Sequence, residues 1–136
     1  MHALLLIAHG SRREASNQEV RELAERLARL AAKRFDCVVP AFLELAEPSI
    51  QAGIDTCAKA GATRVTVVPY FLSAGRHVAS DIPAELGKAA RKHQGLTNFQ
   101  CDYLGKHASI PALLLALGLD AQDNPDKKPE PLNGTG

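Results

Sequence analysis

The chain has no tryptophan, and aromatic residues make up only 4% of its 136 residues. That scarcity removes the stacking platforms on which single-stranded nucleic-acid binders rely. A surplus of charge is missing too: 16 Lys and Arg face 15 Asp and Glu, a formal net charge of +1. The clustered basic footprint of a nucleic-acid protein is therefore not expected. No apolar run approaches the roughly 18 residues that span a bilayer. The opening run, Ala3 to Ala8, is too short for a secretory signal, lacks a basic leader and is followed at once by charges. Cys37, Cys57 and Cys101 lie far apart and form no CxxC. They read as reduced thiols packed as small hydrophobes, not as a disulfide framework or a zinc site. The expectation is a soluble, cytoplasmic protein with neither nucleic acid nor membrane as partner.

What is present is an alternation. Apolar, strand-like segments at Ala3–Ala8, Cys37–Leu45, Arg64–Pro69 and 98–105 (NFQCDYLG) are separated by helix-like ones. The first helix is expected over Ser16–Arg34, with Val20, Leu23, Leu27 and Leu30 on its apolar stripe. The second starts at Glu47-Pro48-Ser49, with proline in the first turn, buries Ile50, Ile54 and Cys57, and stops at Gly61. The third is capped by Asp81, with Pro83 in its first turn, and runs to about His93. The fourth is "SIPALLLALG", entered near Pro111 and closed by Gly118. Its Leu113-Leu114-Leu115 run reads first as core packing and secondarily as an interface. Regular β-α alternation implies a doubly wound parallel sheet of about four strands with helices on both faces. A flavodoxin-like order is expected, with the second strand on an edge because Pro40 cannot donate to a ladder. One domain accounts for residues 1–118, and 119–136 read as a disordered tail.

Ligands in such sheets sit beyond the carboxyl ends of the strands. His9 ends the first strand, Glu44 lies near the end of the second, His77 follows the third and His107 the fourth. Small and hydrogen-bonding residues flank them in Gly10-Ser11-Arg12-Arg13 and Ser73-Ala74-Gly75-Arg76. Each has a plainer reading: a backbone-bonded histidine at position 9, a solvated edge carboxylate at 44, a surface-loop histidine at 77, a helix-start residue at 107, solvated arginines. His2 and His93 read as surface groups. Their convergence on one rim counts for more than any single residue. Two imidazoles and a carboxylate suit a divalent ion held in an open, transient site, and imidazole also titrates near neutral pH. The neighbouring arginines and helix N-termini favour an anionic ligand.

The stretches "LLLIAHGSRREASN", "FLELAEPSI" and "VVPYFLSAGRHVASDIP" closely resemble the class II chelatases of the small CbiX type. These are sirohydrochlorin cobaltochelatases, related to the siroheme ferrochelatases and to a nickel chelatase. The likeness runs from about Leu4 to Gly118, and its third stretch is the most specific. It implies insertion of Co²⁺, or of Fe²⁺ or Ni²⁺, into sirohydrochlorin, an anionic tetrapyrrole with acetate and propionate arms, without an organic cofactor. In that resemblance His9 ligates metal and accepts a proton, and His77 is the second metal-binding histidine. Glu44 associates with metal and substrate, and Leu72, Ser73, Ala74, Gly75, Arg76 and His77 form a substrate-contacting loop. Ser11 and Arg12 face the tetrapyrrole. A single-copy chain of this kind is implied to work as a homodimer. The chain departs from relatives that carry a histidine-rich segment.

Two other readings remain. His-Gly after a first strand is similar to the Arg-His-Gly of histidine phosphatases, but Ala8 stands where that guanidinium belongs. A tetrapyrrole or metal carrier without turnover would keep the same residues.

Overall fold

The computed structural model describes residues 1–123. Four strands, β1 (His2–Ala8), β2 (Cys37–Phe42), β3 (Arg64–Pro69) and β4 (Thr97–Gln100), alternate with four helices. These are α1 (Glu14–Ala31), α2 (Ile50–Lys59), α3 (Ile82–Lys92) and α4 (Ile110–Asp123). All pairings are parallel and the order is β2-β1-β3-β4. That is the flavodoxin-like arrangement, and the strand holding Pro40 lies on an edge as its missing N–H requires.

β1 is a central strand and is buried from Ala3 to Ala8. Its period-two alternation divides the interior. Ala3, Leu5 and Ile7 point to one side, where they meet Val65 and Val67, Ile50, Ile54 and Cys57 of α2, and Ile82, Leu86 and Ala89 of α3. Burial pushes the Cys57 thiol up to about 12, so it stays protonated as a core hydrophobe. Leu4 and Leu6 point to the other side, against Ala24 and the half-buried Val20, Leu23 and Leu27 of α1. All three cysteines are free. Among the described residues no helix is long and apolar enough to cross a membrane.

Several boundaries differ from those expected. α1 starts two residues early and ends at Ala31, where a 3-10 turn (Ala32–Arg34) takes over. Leu30, expected on its buried stripe, is 72% exposed. β2 stops at Phe42, and β4 ends at Gln100: after a last bond from the Cys101 N–H to the Val67 carbonyl, the chain leaves the ladder for a second 3-10 turn (Leu104–Lys106). Ser49, not the Pro48 turn, opens α2: its hydroxyl accepts from the Ala52 N–H. Asp81 makes no side-chain cap on α3. α4 passes Gly118 and runs to Asp123, so 119–123 are helical. The rest of the expected tail, 124–136, lies outside the described residues. The leucine run at 113–115 is not core: no residue of α4 is buried.

Candidate active site

The first half of the site is made by the β1–β2 ladder running past both strands. Ala8 pairs with Phe42. Beyond it the Leu43 N–H donates to the Ala8 carbonyl at 3.0 Å and the Glu44 N–H to the His9 carbonyl at 3.1 Å. Gly10 makes this approach possible. Its φ is +97°, and a Cβ there would stand 1.8 Å from the Glu44 carbonyl oxygen. The side chains then meet, with His9 Nε2 2.8 Å from Glu44 Oε1. An ionised carboxylate only accepts, so Nε2 carries the proton and Nδ1 of His9 is left as the basic nitrogen.

The loop behind His9 is stapled by Asn17, a polar side chain that is only 2% exposed. Its Oδ1 accepts from the Ser11 N–H at 2.9 Å and its Nδ2 donates to the Ser11 carbonyl at 2.8 Å. The Ser11 hydroxyl oxygen accepts from the Arg13 N–H, so Ser11 holds the turn on which Arg12 is displayed.

The second half is local. After β3 the chain crosses a loop and closes a single π turn (His77–Asp81), in which the Ile82 N–H bonds to the His77 carbonyl. His77 Nδ1 lies 2.7 Å from Asp81 Oδ2, which by the same argument leaves Nε2 of His77 basic. Phe71 stacks beside the ring, with centroids 6.3 Å apart. The loop is clamped from behind: the Gly105 N–H donates to the Phe71 carbonyl, and a Cβ on Gly105 would stand 1.8 Å from the Leu72 carbonyl oxygen.

The two halves meet edge to face. The rings of His9 and His77 lie 4.6 Å apart between centroids at 81°. A small cleft of about 230 Å³ opens beside them, lined by Leu43, Glu44, His77, Asp81, Ala84 and Glu85. A larger apolar groove of about 610 Å³ holds neither histidine and lies on the α1 side of the sheet. Among the described residues, no three His, Cys, Asp or Glu side chains form a ready-made metal cage. Each imidazole is instead tied to its own carboxylate.

His9, Glu44 and His77 are thus brought together. Arg12 and Arg76 are exposed on the rim, as are Leu72, Ser73, Ala74 and Gly75. His107 is not part of the cluster. Its Nδ1 accepts from the Ser109 N–H at the approach to α4, the helix-start role. His2 bonds Thr66 and His93 bonds Asp55, both outside the cluster. Two contributors were missed from sequence. Asp81 carried a signal, four residues after His77 and so on the same side of a turn, but its place before Pro83 read as a cap. Asn17 is seven residues before Ala24 and fourteen before Ala31 on the buried line of α1, and an amide on such a line calls for a partner.

A family model described as CbiX matches residues 3–118. The chain is 38% identical over 104 residues to a chloroplastic sirohydrochlorin ferrochelatase of Arabidopsis thaliana, covering 76% of this chain and 45% of that protein. It is 39% identical over 87 residues to the sirohydrochlorin cobaltochelatase of Methanopyrus kandleri, covering 64% and 59%. The chain therefore spans about half the length of these curated relatives. In three dimensions it resembles the sirohydrochlorin chelatase SirB of Bacillus subtilis subspecies spizizenii in complex with cobalt, with a TM-score of 0.78 and 29% identity over 88% of this chain and 50% of that one. A CbiX protein from Marinobacter aquaeolei gives a TM-score of 0.69 at 31% identity, over 94% of this chain and all of that one.

Proposed function

The chain belongs to the CbiX family, and we propose that it inserts a divalent metal ion into sirohydrochlorin. The observation that carries this reading is the edge-to-face histidine pair, each ring held by a carboxylate and each keeping one basic nitrogen. Insertion exchanges two pyrrole N–H protons for metal–nitrogen bonds. His9 Nδ1 accepts the two departing protons in turn, passing each to water at the exposed rim, and Glu44 at Nε2 stabilises the imidazolium that forms each time. His77 Nε2 holds the incoming ion loosely, as a substrate that must be handed on. Arg12 and Arg76 on the rim suit the carboxylate arms of the tetrapyrrole. The exposed side chains of Leu45 and Leu72 suit its apolar face.

Co²⁺ is the metal of this reading, with Fe²⁺ and Ni²⁺ as the competing substrates. Relatives named for cobalt and for iron both support a divalent first-row ion. No organic cofactor takes part. The three free cysteines support a cytoplasmic setting, and a homodimer is the working form. The phosphatase reading needs a guanidinium beside the histidine, whereas the side chain bonded to His9 is Glu44.

The test follows sirohydrochlorin absorbance with Co²⁺, Fe²⁺ and Ni²⁺ in parallel, with catalytic amounts of protein. Turnover is expected, fastest with Co²⁺, and lost in His9→Ala and His77→Ala. Insertion at the wild-type rate in both variants would sink the reading. A stoichiometric absorbance change without turnover would assign a carrier instead.

A further inference from the structure

The two loops that carry His9 and Glu44 are bridged from behind by side chains of the helix between them. Asn17 of α1 holds the Ser11 turn, and its Nδ2 also donates to Glu14 Oε2 at 3.3 Å. The other oxygen of that carboxylate pairs with Arg21. Arg21 then crosses to the second loop, where its Nη2 donates to the Glu47 carbonyl oxygen at 3.0 Å. On the way its guanidinium lies over the ring of Phe42, 5.4 Å from the centroid. Ser11, Asn17, Glu14, Arg21 and Glu47 thus form one continuous run of bonds from the His9 loop to the Glu44 loop. Arg21 first, then Asn17, holds the Glu14 carboxyl below its ordinary range, the mark of an ionised middle member.

The second loop needs such a hold. Leu45 stands at φ +64°, in the left-handed region that a leucine occupies only where its surroundings impose it. On its near side the Glu44 N–H is bonded to the His9 carbonyl, and on its far side Arg21 takes the Glu47 carbonyl. The Pro48 carbonyl comes next and accepts from the N–H of Phe42, the residue beneath the guanidinium, at 2.9 Å. Arg21 itself is not presented to a ligand. Its side chain is only 27% exposed, and its donors are turned to Glu14, Gln18 and Glu47. Arg12 and Arg76, by contrast, stand exposed on the rim.

We propose that Arg21 is a positioning residue for metal insertion: it braces the Leu45 turn against α1 and so keeps the Glu44 carboxylate on His9 Nε2. This rests on the chelatase reading given above and deepens it by naming what holds the proton-accepting pair together. The β1–β2 register ends at Phe42 and cannot by itself fix a turn three residues further on. Releasing the Glu47 carbonyl lets Leu45 relax out of the left-handed region, and the peptide it shares with Glu44 must turn with it. That peptide carries the carbonyl oxygen packed against Gly10, so its rotation moves Glu44 relative to His9. The side chains are joined by a bond of 2.8 Å, and a displacement of about 1 Å is enough to break it.

The test uses the full chain and reads the loop and the reaction separately. In Arg21→Gln, amide hydrogen exchange is expected to quicken about 10-fold at Glu44, with the amides of β1 and β3 unchanged. Insertion of Co²⁺ into sirohydrochlorin should lose about 5-fold in kcat, with KM constant for both substrates. In a Glu44→Ala background no carboxylate is left to hold, so Arg21→Gln should change kcat there by less than about 2-fold. An unchanged Glu44 amide would overturn the brace. An equal further loss of kcat in the Glu44→Ala background would overturn it too, as would a raised KM for sirohydrochlorin, the sign of a residue that grips the substrate. If Arg21→Gln does not fold, Glu14→Gln carries the same test: exchange at Glu44 should quicken about 3-fold, and no change there overturns the proposal. A wild-type chain that turns over no metal would defeat the chelatase reading, while the exchange result would still decide what holds the loop.

Discussion

The two histidines that meet at the rim arrive by different routes. His9 and Glu44 are 35 positions apart and are joined because two parallel strands keep register past their ends. His77 and Asp81 are four positions apart and close within one π turn. The first pair is a property of the sheet. The second is a property of a loop, held in place by a clamp at Gly105. Damage to the edge of the sheet should therefore disable the proton-accepting half and leave the other intact. Damage to the loop should disable the ion-holding half.

Removing either imidazole gives the largest expected effect. His9→Ala and His77→Ala should each lower kcat/KM for metal insertion by at least about 100-fold, the usual scale for a lost acid–base or ligand group. Both rings are partly exposed at the surface, so the melting temperature should barely move. A variant that loses activity and folding together would show that the ring was structural.

The glycines break the halves one at a time. Gly10→Ala must push the Glu44 backbone away, because the new Cβ meets its carbonyl oxygen and φ is +97°. A cost of about 1–3 kcal/mol follows, with kcat falling roughly 10- to 100-fold as the carboxylate leaves His9. Gly105→Ala meets the Leu72 carbonyl oxygen instead, so it should raise the KM for metal while disturbing kcat less. Denaturant unfolding and steady-state kinetics on the two variants would separate them. The same KM effect from both would erase the distinction between the halves.

Charge removal at the carboxylates sharpens the comparison further. Glu44→Gln keeps an acceptor for His9 but not the charge that stabilises the imidazolium, so kcat should fall roughly 10-fold. Asp81→Asn keeps an acceptor for His77, and its expected signature is a higher KM for Co²⁺ at nearly constant kcat. The reverse assignment of kcat and KM would exchange the roles given to the two histidines.

The contrast also explains what could be read in the sequence. Strand order, the edge place of Pro40 and the shared rim of His9, Glu44 and His77 follow from alternation and chain direction, which composition and periodicity carry. The His9–Glu44 bond does not, since it needs the β1–β2 register that turns parallel neighbours into partners. Asp81 was visible at the right spacing, yet a local rule for helix starts claimed it, and the π turn that turns it toward His77 has no sequence mark. Leu30 and the leucines of α4 fit an apolar stripe, and such a stripe states that a surface is to be covered, not by which chain.

The smallest effect belongs to a control away from the rim. Asp55 on α2 bonds Lys92 at 2.9 Å and His93 at 2.7 Å near the end of α3. Lys92 first, then His93, holds its carboxyl below the ordinary aspartate range. A carboxylate whose folded pKa is lowered contributes stability that is complete above its unfolded value and is lost as pH falls through the folded one. The pair is open to water, so Asp55→Asn should cost only about 0.5 kcal/mol at pH 7. That difference should shrink once the pH is taken below the ordinary aspartate range and on through the lowered folded-state value. Urea unfolding at the two pH values measures it, with insertion at neutral pH unchanged. If Asp55→Asn did slow insertion, helix packing would be felt at the rim, and losses in the glycine variants could no longer be assigned to one half of the site alone.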